Sequence, residues 1–181
     1  MIEVRWHGRG GQGGFTVARL LGLSAALFED KYSLAFPSFG PERRGAPVLG
    51  FTKIDTTPIR DRSAVRTCDY VVVLDETLVD ANITAGLKPG GSILINTRTP
   101  ERYSDVVNGF NMAHLDATGL ALEILGRPIT NTAMLGALIA ETGVVSLESA
   151  LKGIEVEMKP SLVEKNIVVV KTACERMKEV A

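Results

Sequence analysis

The sequence predicts an α/β fold, Rossmann-like and doubly wound about a mostly parallel sheet, with a helical C-terminal part. Three observations predict it. A glycine-dense turn, Gly8-Arg9-Gly10-Gly11-Gln12-Gly13-Gly14, lies between a short apolar run at residues 2–6 and a helical pattern starting near Phe15. Two continuous apolar runs, Tyr70-Val71-Val72-Val73-Leu74 and Ile93-Leu94-Ile95, have the composition of strands buried on both faces of a parallel sheet. From Asn131 the pattern is helical to the end. At 181 residues and 45% hydrophobic, without a low-complexity tract, the chain suffices for one well-buried core, and residues 1–181 are read as a single domain.

The first strand is short and runs directly into the glycine turn. Without Cβ atoms, the turn's N–H groups are open to close approach, and the helix that follows adds partial positive charge. Gly8, Gly10 and Gly13 satisfy the dinucleotide pattern G-x-G-x-x-G in its required strand-turn-helix setting. That reading also wants an acidic residue about 20 positions on, at the tip of the second strand. Glu29 and Asp30 have the spacing but precede the next extended run, 32–36, and so end the first helix. Three uses of the turn remain: a nicotinamide site, a tight connection that only packs helix on sheet, or a seat for a phosphate-bearing ligand or a partner subunit. Gly13 is followed by Gly14-Phe15 rather than lysine, so a P-loop is not supported.

The helix after the turn, rich in Leu and Ala from Phe15 to Phe28, is apolar on more than one side, as for a helix of a doubly wound sheet or one that also meets a partner. Residues 32–36 read as the second strand. The following stretch, Phe36-Pro37-Ser38-Phe39-Gly40-Pro41-Glu42-Arg43-Arg44-Gly45-Ala46-Pro47, is a loop stiffened by three prolines. Arg43 and Arg44 on such a loop suit bidentate grip of a carboxylate or phosphate, or subunit docking; the alternative is a solvated loop paired with Glu42. Residues 48–54 alternate and read as a strand with Thr52 and Lys53 near its exposed end. Asp75 and Glu76 fall at the carboxyl tip of the strand 70–74, facing the cleft of the glycine turn or capping a helix over 77–85. Leu87-Lys88-Pro89-Gly90-Gly91 is a turn before the strand 92–96, and 111–115 is another strand. Asp116 caps a helix over 117–125, which Gly126-Arg127-Pro128 breaks. Asn131 caps a helix over 132–142, Ser146 caps another, and a last one spans 161–179. The small residues of Thr132-Ala133-Met134-Leu135-Gly136-Ala137 mark a close helix contact, in the core or at an interface.

Net charge is −1 with both signs interspersed, which gives no field to draw in nucleic acid or an anionic membrane. No stretch approaches the ~18 uninterrupted apolar residues of a membrane span, and the chain opens on a strand rather than a signal segment, so the expected location is cytoplasmic. Cys68 and Cys174 form no Cys-x-x-Cys pair, and with only His7 and His114 in addition the chain offers no zinc or iron–sulfur ligand set. Cys68 reads as a packing thiol. His7 abuts the glycine turn, within reach of an anion there, whereas His114 reads as structural.

The glycine turn, the 36–48 loop, Cys68-Asp69-Tyr70-Val71-Val72-Val73-Leu74-Asp75 and Asn131-Thr132-Ala133-Met134-Leu135-Gly136 together resemble, over nearly the whole chain, the gamma subunit of pyruvate or 2-ketoisovalerate:ferredoxin oxidoreductase, a 2-oxoacid:ferredoxin oxidoreductase also known as pyruvate synthase. Gly14-Phe15 departs from the branched aliphatics usual after the motif. The resemblance implies a cytoplasmic complex that oxidatively decarboxylates a 2-oxoacid to an acyl-CoA and reduces ferredoxin, or the reverse. It implies alpha, beta and delta subunits as partners, with thiamine diphosphate and Mg between alpha and beta and iron–sulfur clusters in beta and delta. By the same likeness this chain has no catalytic residue of its own. Gly8, Gly10, Gly11, Gln12, Gly13, Arg43 and Arg44 are then candidates for contacting coenzyme A phosphates or the neighbouring subunits. Two alternatives stand beside this: an assembly subunit that binds nothing small, and an independent dinucleotide-binding protein.

Overall fold

The computed structural model describes residues 1–38 and 44–180. Its strands are β1 (Ile2–Arg9), β2 (Tyr32–Pro37), β3 (Pro47–Asp55), β4 (Cys68–Val73), β5 (Leu87–Asn96) and β6 (Asn111–Leu115); its helices are α1 (Gly14–Phe28), α2 (Ala117–Leu125), α3 (Asn131–Thr142), α4 (Leu147–Glu157) and α5 (Pro160–Val180). The strands form one six-stranded sheet in the order β2-β3-β1-β4-β5-β6. β1, β4, β5 and β6 pair in parallel, and β3 runs antiparallel to both its neighbours. The expected α/β class, the mostly parallel sheet and the helical C-terminal part are therefore present.

Both faces of the sheet are covered, but unequally. Val4, Trp6, Val72, Leu74 and Leu94 face the layer built by the helices α1 to α5. Phe51, Val71, Val73, Ile93 and Ile95 face the other side, closed by Val65, Ile83 and Val107 from connecting segments. The helix expected over 77–85 is a single 3-10 turn, Glu76–Leu78, followed by further turns. Asp80 Oδ1 accepts the Asn82 N–H at 2.8 Å, a local bond that competes with helix. Leu78, Val79 and Ile83 still pack on the sheet, so burial is achieved without a helix.

β3 takes the place beside β1 that a dinucleotide-binding sheet gives to its second strand. Its ladder with β1 runs from Ile2 opposite Ile54 to Arg9 opposite Pro47. β2 is pushed to the edge, and among the described residues its carboxyl end, Phe36-Pro37-Ser38, carries no ribose-binding carboxylate. The same placement buries Thr52 and Lys53, which the sequence reading put near an exposed end. Lys53 Nζ lies 2.6 Å from Asp61 Oδ2 and 3.7 Å from Glu3 Oε1, so its charge is answered by an exposed carboxylate on the segment after β3 and a buried one on β1.

Thr52 links three elements: Trp6 Nε1 donates to Thr52 Oγ1 at 3.0 Å, and Thr52 Oγ1 donates to the Ala18 carbonyl at 2.8 Å. Thr52→Val is therefore expected to leave a buried indole N–H without an acceptor and to lower stability by about 1–3 kcal/mol. Trp6 is the sole tryptophan, so a urea titration followed by its emission reads the loss directly; an unchanged midpoint would show that the bond contributes nothing net.

Local caps follow their sequence signals. Glu29 ends α1. Asp116 accepts the Gly119 N–H and Ser146 accepts the Ser149 N–H, as read. Asn131 does two things: α3 begins at Asn131 with Thr130 in the cap position, and Asn131 Oδ1 accepts the Thr132 N–H at 2.9 Å while its Nδ2 donates to the Gly13 carbonyl of the glycine turn.

Candidate functional site

The parallel strand β1 delivers the chain to the carboxyl edge of the sheet, where ligands of open α/β sheets bind. There Gly11 (φ +96°) and Gly13 (φ +77°) adopt the left-handed conformation that favours glycine. A Cβ on Gly13 would collide with the Asn131 side chain, whereas one on Gly11 would meet open space. Gly13 is the cap residue of α1 and supplies no side-chain cap, and the first helical bond is from Val17 N–H to the Gly13 carbonyl at 3.0 Å. The amides of Gly14, Phe15 and Thr16 therefore have no acceptor within the helix. No acidic side chain sits in that first turn to offset the dipole. A cavity of about 300 Å³, lined by Arg9, Gly10, Gly11, Gly13, Gly14 and Phe15 among others, opens over these groups.

What holds the turn is a network the sequence reading did not include. Gln12 Oε1 accepts the Arg9 N–H at 2.7 Å, and Gln12 Nε2 donates to Asp75 Oδ2 at 2.9 Å. Arg9 Nε donates to the same Asp75 oxygen at 3.2 Å, while its terminal nitrogens donate to Thr77 Oγ1 at 2.8 Å and to the Gly45 carbonyl at 3.1 Å. Gly10 N–H donates to the Ala46 carbonyl at 2.8 Å, and Gly45 N–H donates to the Gly10 carbonyl at 3.0 Å. Asp75 does both things its position suggested: it faces the glycine turn, and it caps the short turn after β4 by accepting the Thr77 N–H at 3.1 Å. Burial pushes its carboxyl up, but hydrogen bonds from Thr77 and Gln12 with the Arg9 charge outweigh that and hold it below its ordinary value. Asp75 is thus an anion at neutral pH with its charge already matched.

Gly10, Gly11, Gln12 and Gly13 share this one turn, and Gly8, its amino side, packs against Leu74 at the end of β1. The expected donors divide, however. The Gly10 N–H is taken by the loop, and the Gln12 N–H closes on the Arg9 carbonyl at 3.0 Å, so neither is offered outward. Gly11 and Gly13, with the unforeseen Gly14, line the cavity. Arg44 is exposed and bridges Gly10 through its backbone. Arg43 lies outside the described residues.

His7 lines a neighbouring cavity of about 600 Å³ with Ser38, Leu49 and Ile83 on the far face of the sheet. Its Nε2 accepts a hydrogen bond from Arg5 Nε at 2.9 Å, which places its own proton on Nδ1. Cys68 and Cys174 are buried in different core layers, and burial pushes both thiols up, as for packing residues. Among the described residues no group of three or more His, Cys, Asp or Glu side chains is placed to hold a metal ion. No helix among them is long and apolar enough to cross a membrane.

Residues 3–176 match the family model described as pyruvate ferredoxin/flavodoxin oxidoreductase. The chain is 52% identical over 170 residues to the pyruvate/ketoisovalerate oxidoreductases common subunit gamma of Thermococcus kodakarensis, covering 92% of this chain and 91% of that one. It is 50% identical over 182 residues to pyruvate synthase subunit PorC of Methanothermobacter thermautotrophicus, covering 99% and 97%. The crystal structure of pyruvate oxidoreductase subunit PORC from Thermotoga maritima superposes with a TM-score of 0.84 at 40% identity, over 96% of this chain and 95% of that one. Together with the glycine turn at the sheet edge, these likenesses show that the chain belongs to the pyruvate ferredoxin/flavodoxin oxidoreductase family, on the side of its gamma subunits.

Proposed function

We propose that the chain is the gamma subunit of a cytoplasmic, multisubunit 2-oxoacid:ferredoxin oxidoreductase and that its glycine turn seats a phosphate of coenzyme A during acyl transfer. The observation that carries the ligand part is the uncapped amino end of α1 beneath Gly11 and Gly13, open to a cavity at the carboxyl edge of the sheet. Amides of Gly11, Gly13, Gly14 and Phe15 fit a phosphate there, and the exposed Arg44, bridged to Gly10 through its backbone, is the nearby cation proposed to reach it. Arg9 does not compete, since Asp75, Thr77 and Gly45 hold it; its role is to fix the turn against the loop. Thiamine diphosphate, Mg and the iron–sulfur clusters are assigned, by the family likeness, to the alpha, beta and delta subunits. Bound coenzyme A supplies the thiol that accepts the acyl group, and this chain's part is to bind and orient it.

Gly11→Asp sets a carboxylate among these amides where a Cβ meets open space, and Gly11→Asn, equally strained at φ +96°, is the control that isolates the charge. The aspartate variant is expected to weaken coenzyme A binding to the reconstituted complex by about tenfold or more, measured by calorimetry, with assembly unchanged. Arg44→Ala should weaken it in the same direction. If either variant leaves coenzyme A affinity intact but impairs assembly, the turn and loop are docking surfaces instead. The internal use of the Gly10 and Gln12 amides is the observation that favours this second reading.

A further inference from the structure

On the helical face, behind the glycine turn, the first turns of α1, α3 and α5 meet around a second cavity of about 600 Å³. Thr16, Asn131 and Ser161 mark those three amino ends, and none of the three helices has an acidic residue in its first turn. By contrast α4 carries Glu148 there and Asp116 caps α2. Exposed Arg127, Lys159 and Lys165 stand on the rim, and the one acid in the lining, Glu157, is paired with Arg19. The wall is apolar, and two of its side chains stay open to solvent, Ile129 at 43% and Leu162 at 50% exposure. An apolar groove with a positive rim and three positive helix ends is complementary to carboxylates flanking apolar side chains.

We propose that this groove is the docking site for an acidic segment, bearing apolar side chains, of another subunit of the same complex. The inference rests on the gamma-subunit reading and concerns a groove that adjoins the glycine-turn cavity at Thr16 but takes its rim from Arg127, Lys159 and Lys165, which the turn does not use. A small anion is the poorer occupant, because the buried amides at the floor are already used: Asn131 Nδ2 donates to the Gly13 carbonyl, and Asn166 accepts from Thr132 and donates to the Leu162 carbonyl. What the groove offers is rim cations and apolar wall, the contacts of a polypeptide segment. A second copy of the chain in symmetric contact would set the same cations against each other.

The test is binding of the purified chain to the complex lacking it, followed by interferometry from about 50 to about 300 mM salt. Arg127→Glu with Lys159→Glu and Lys165→Glu is expected to weaken binding by about tenfold or more and to remove most of the salt dependence. Leu162→Gln, at a half-exposed position that folding tolerates, is expected to weaken binding without altering the salt slope. A photo-crosslinker in place of Leu162 should capture an acidic segment of another subunit. Affinity within about twofold of wild type for both variants, or capture only of a second copy of this chain, overturns the proposal while leaving the subunit reading intact. If the wild-type chain fails to bind at all, the subunit reading itself falls, and this inference with it.

Discussion

Gly136→Leu is expected to lower the stability of the chain by about 3 kcal/mol or more, and Gly136→Ala by about 2 kcal/mol. The reason is the approach of α3 to α5. A Cβ on Gly136 would stand 2.6 Å from the Val170 carbonyl oxygen and 2.8 Å from the Ala173 Cβ. The first of these is backbone, so it cannot swing aside, and the helices must part. The Gly136 carbonyl also accepts from Cys174 Sγ at 3.1 Å, a contact that the parting would break. The small-residue stripe at 132–137 is therefore core, buried against α5 and not left for a partner. With total stabilities of ordinary domains at about 5–15 kcal/mol, the leucine variant loses a large share, measurable as a fall in urea midpoint. Equal midpoints for wild type and leucine variant would show that the helices are not packed this closely.

Acidification is expected to remove about 3 kcal/mol of stability between pH 6.5 and about 4 through His7 alone. Burial lowers its pKa to about 4, and the neighbouring Arg5 guanidinium adds to the effect, against a smaller opposing pull from Asp80. Because Arg5 Nε donates to His7 Nε2, a proton on that nitrogen would set donor against donor beside a fixed positive charge. The unfolded chain takes up this proton near pH 6.5 and the folded chain only near 4, so the stabilisation is complete above 6.5 and falls away as pH drops. Carboxylates held below their ordinary values, such as Asp75 and Glu29, lose their contributions at lower pH, as they protonate. His7→Gln, whose side-chain oxygen can take the Arg5 hydrogen bond, is expected to flatten the profile above about pH 4.5. A profile as steep in the variant as in wild type would remove His7 from this role.

Much of this architecture is legible locally. The runs at 70–74 and 93–95 are strands because continuous β-branched residues suit burial on both faces. Asp116 and Ser146 announce helix starts because a cap needs only the next three residues. What distance in sequence hides is different in kind. Nothing in residues 47–55 says that β3 will slip between β1 and β2, which is why Lys53 looked exposed and is buried. Arg9 had no local signal of its part in the turn, since its partners Asp75 and Thr77 lie far along the chain. Asn131 carries a cap signature and does accept the Thr132 N–H, but its second bond, to the Gly13 carbonyl a long way off, had no local signal. Glu29 was legible as a helix end, but not as the acceptor for the Ser146 N–H at 2.5 Å. The glycine turn could be placed from its pattern, whereas which of its amides face outward depended on the loop at 44–46 pairing with Gly10.

The most direct measurement is reconstitution: the proposed alpha, beta and delta partners purified without this chain, assayed for 2-oxoacid- and coenzyme A-dependent ferredoxin reduction before and after it is added back. A subunit that completes another protein's active site predicts no turnover by the chain alone, little by the partners alone, and recovery in proportion to the chain added up to stoichiometric equivalence. Full coenzyme A-dependent activity in its absence, or turnover by the isolated chain, would contradict the account.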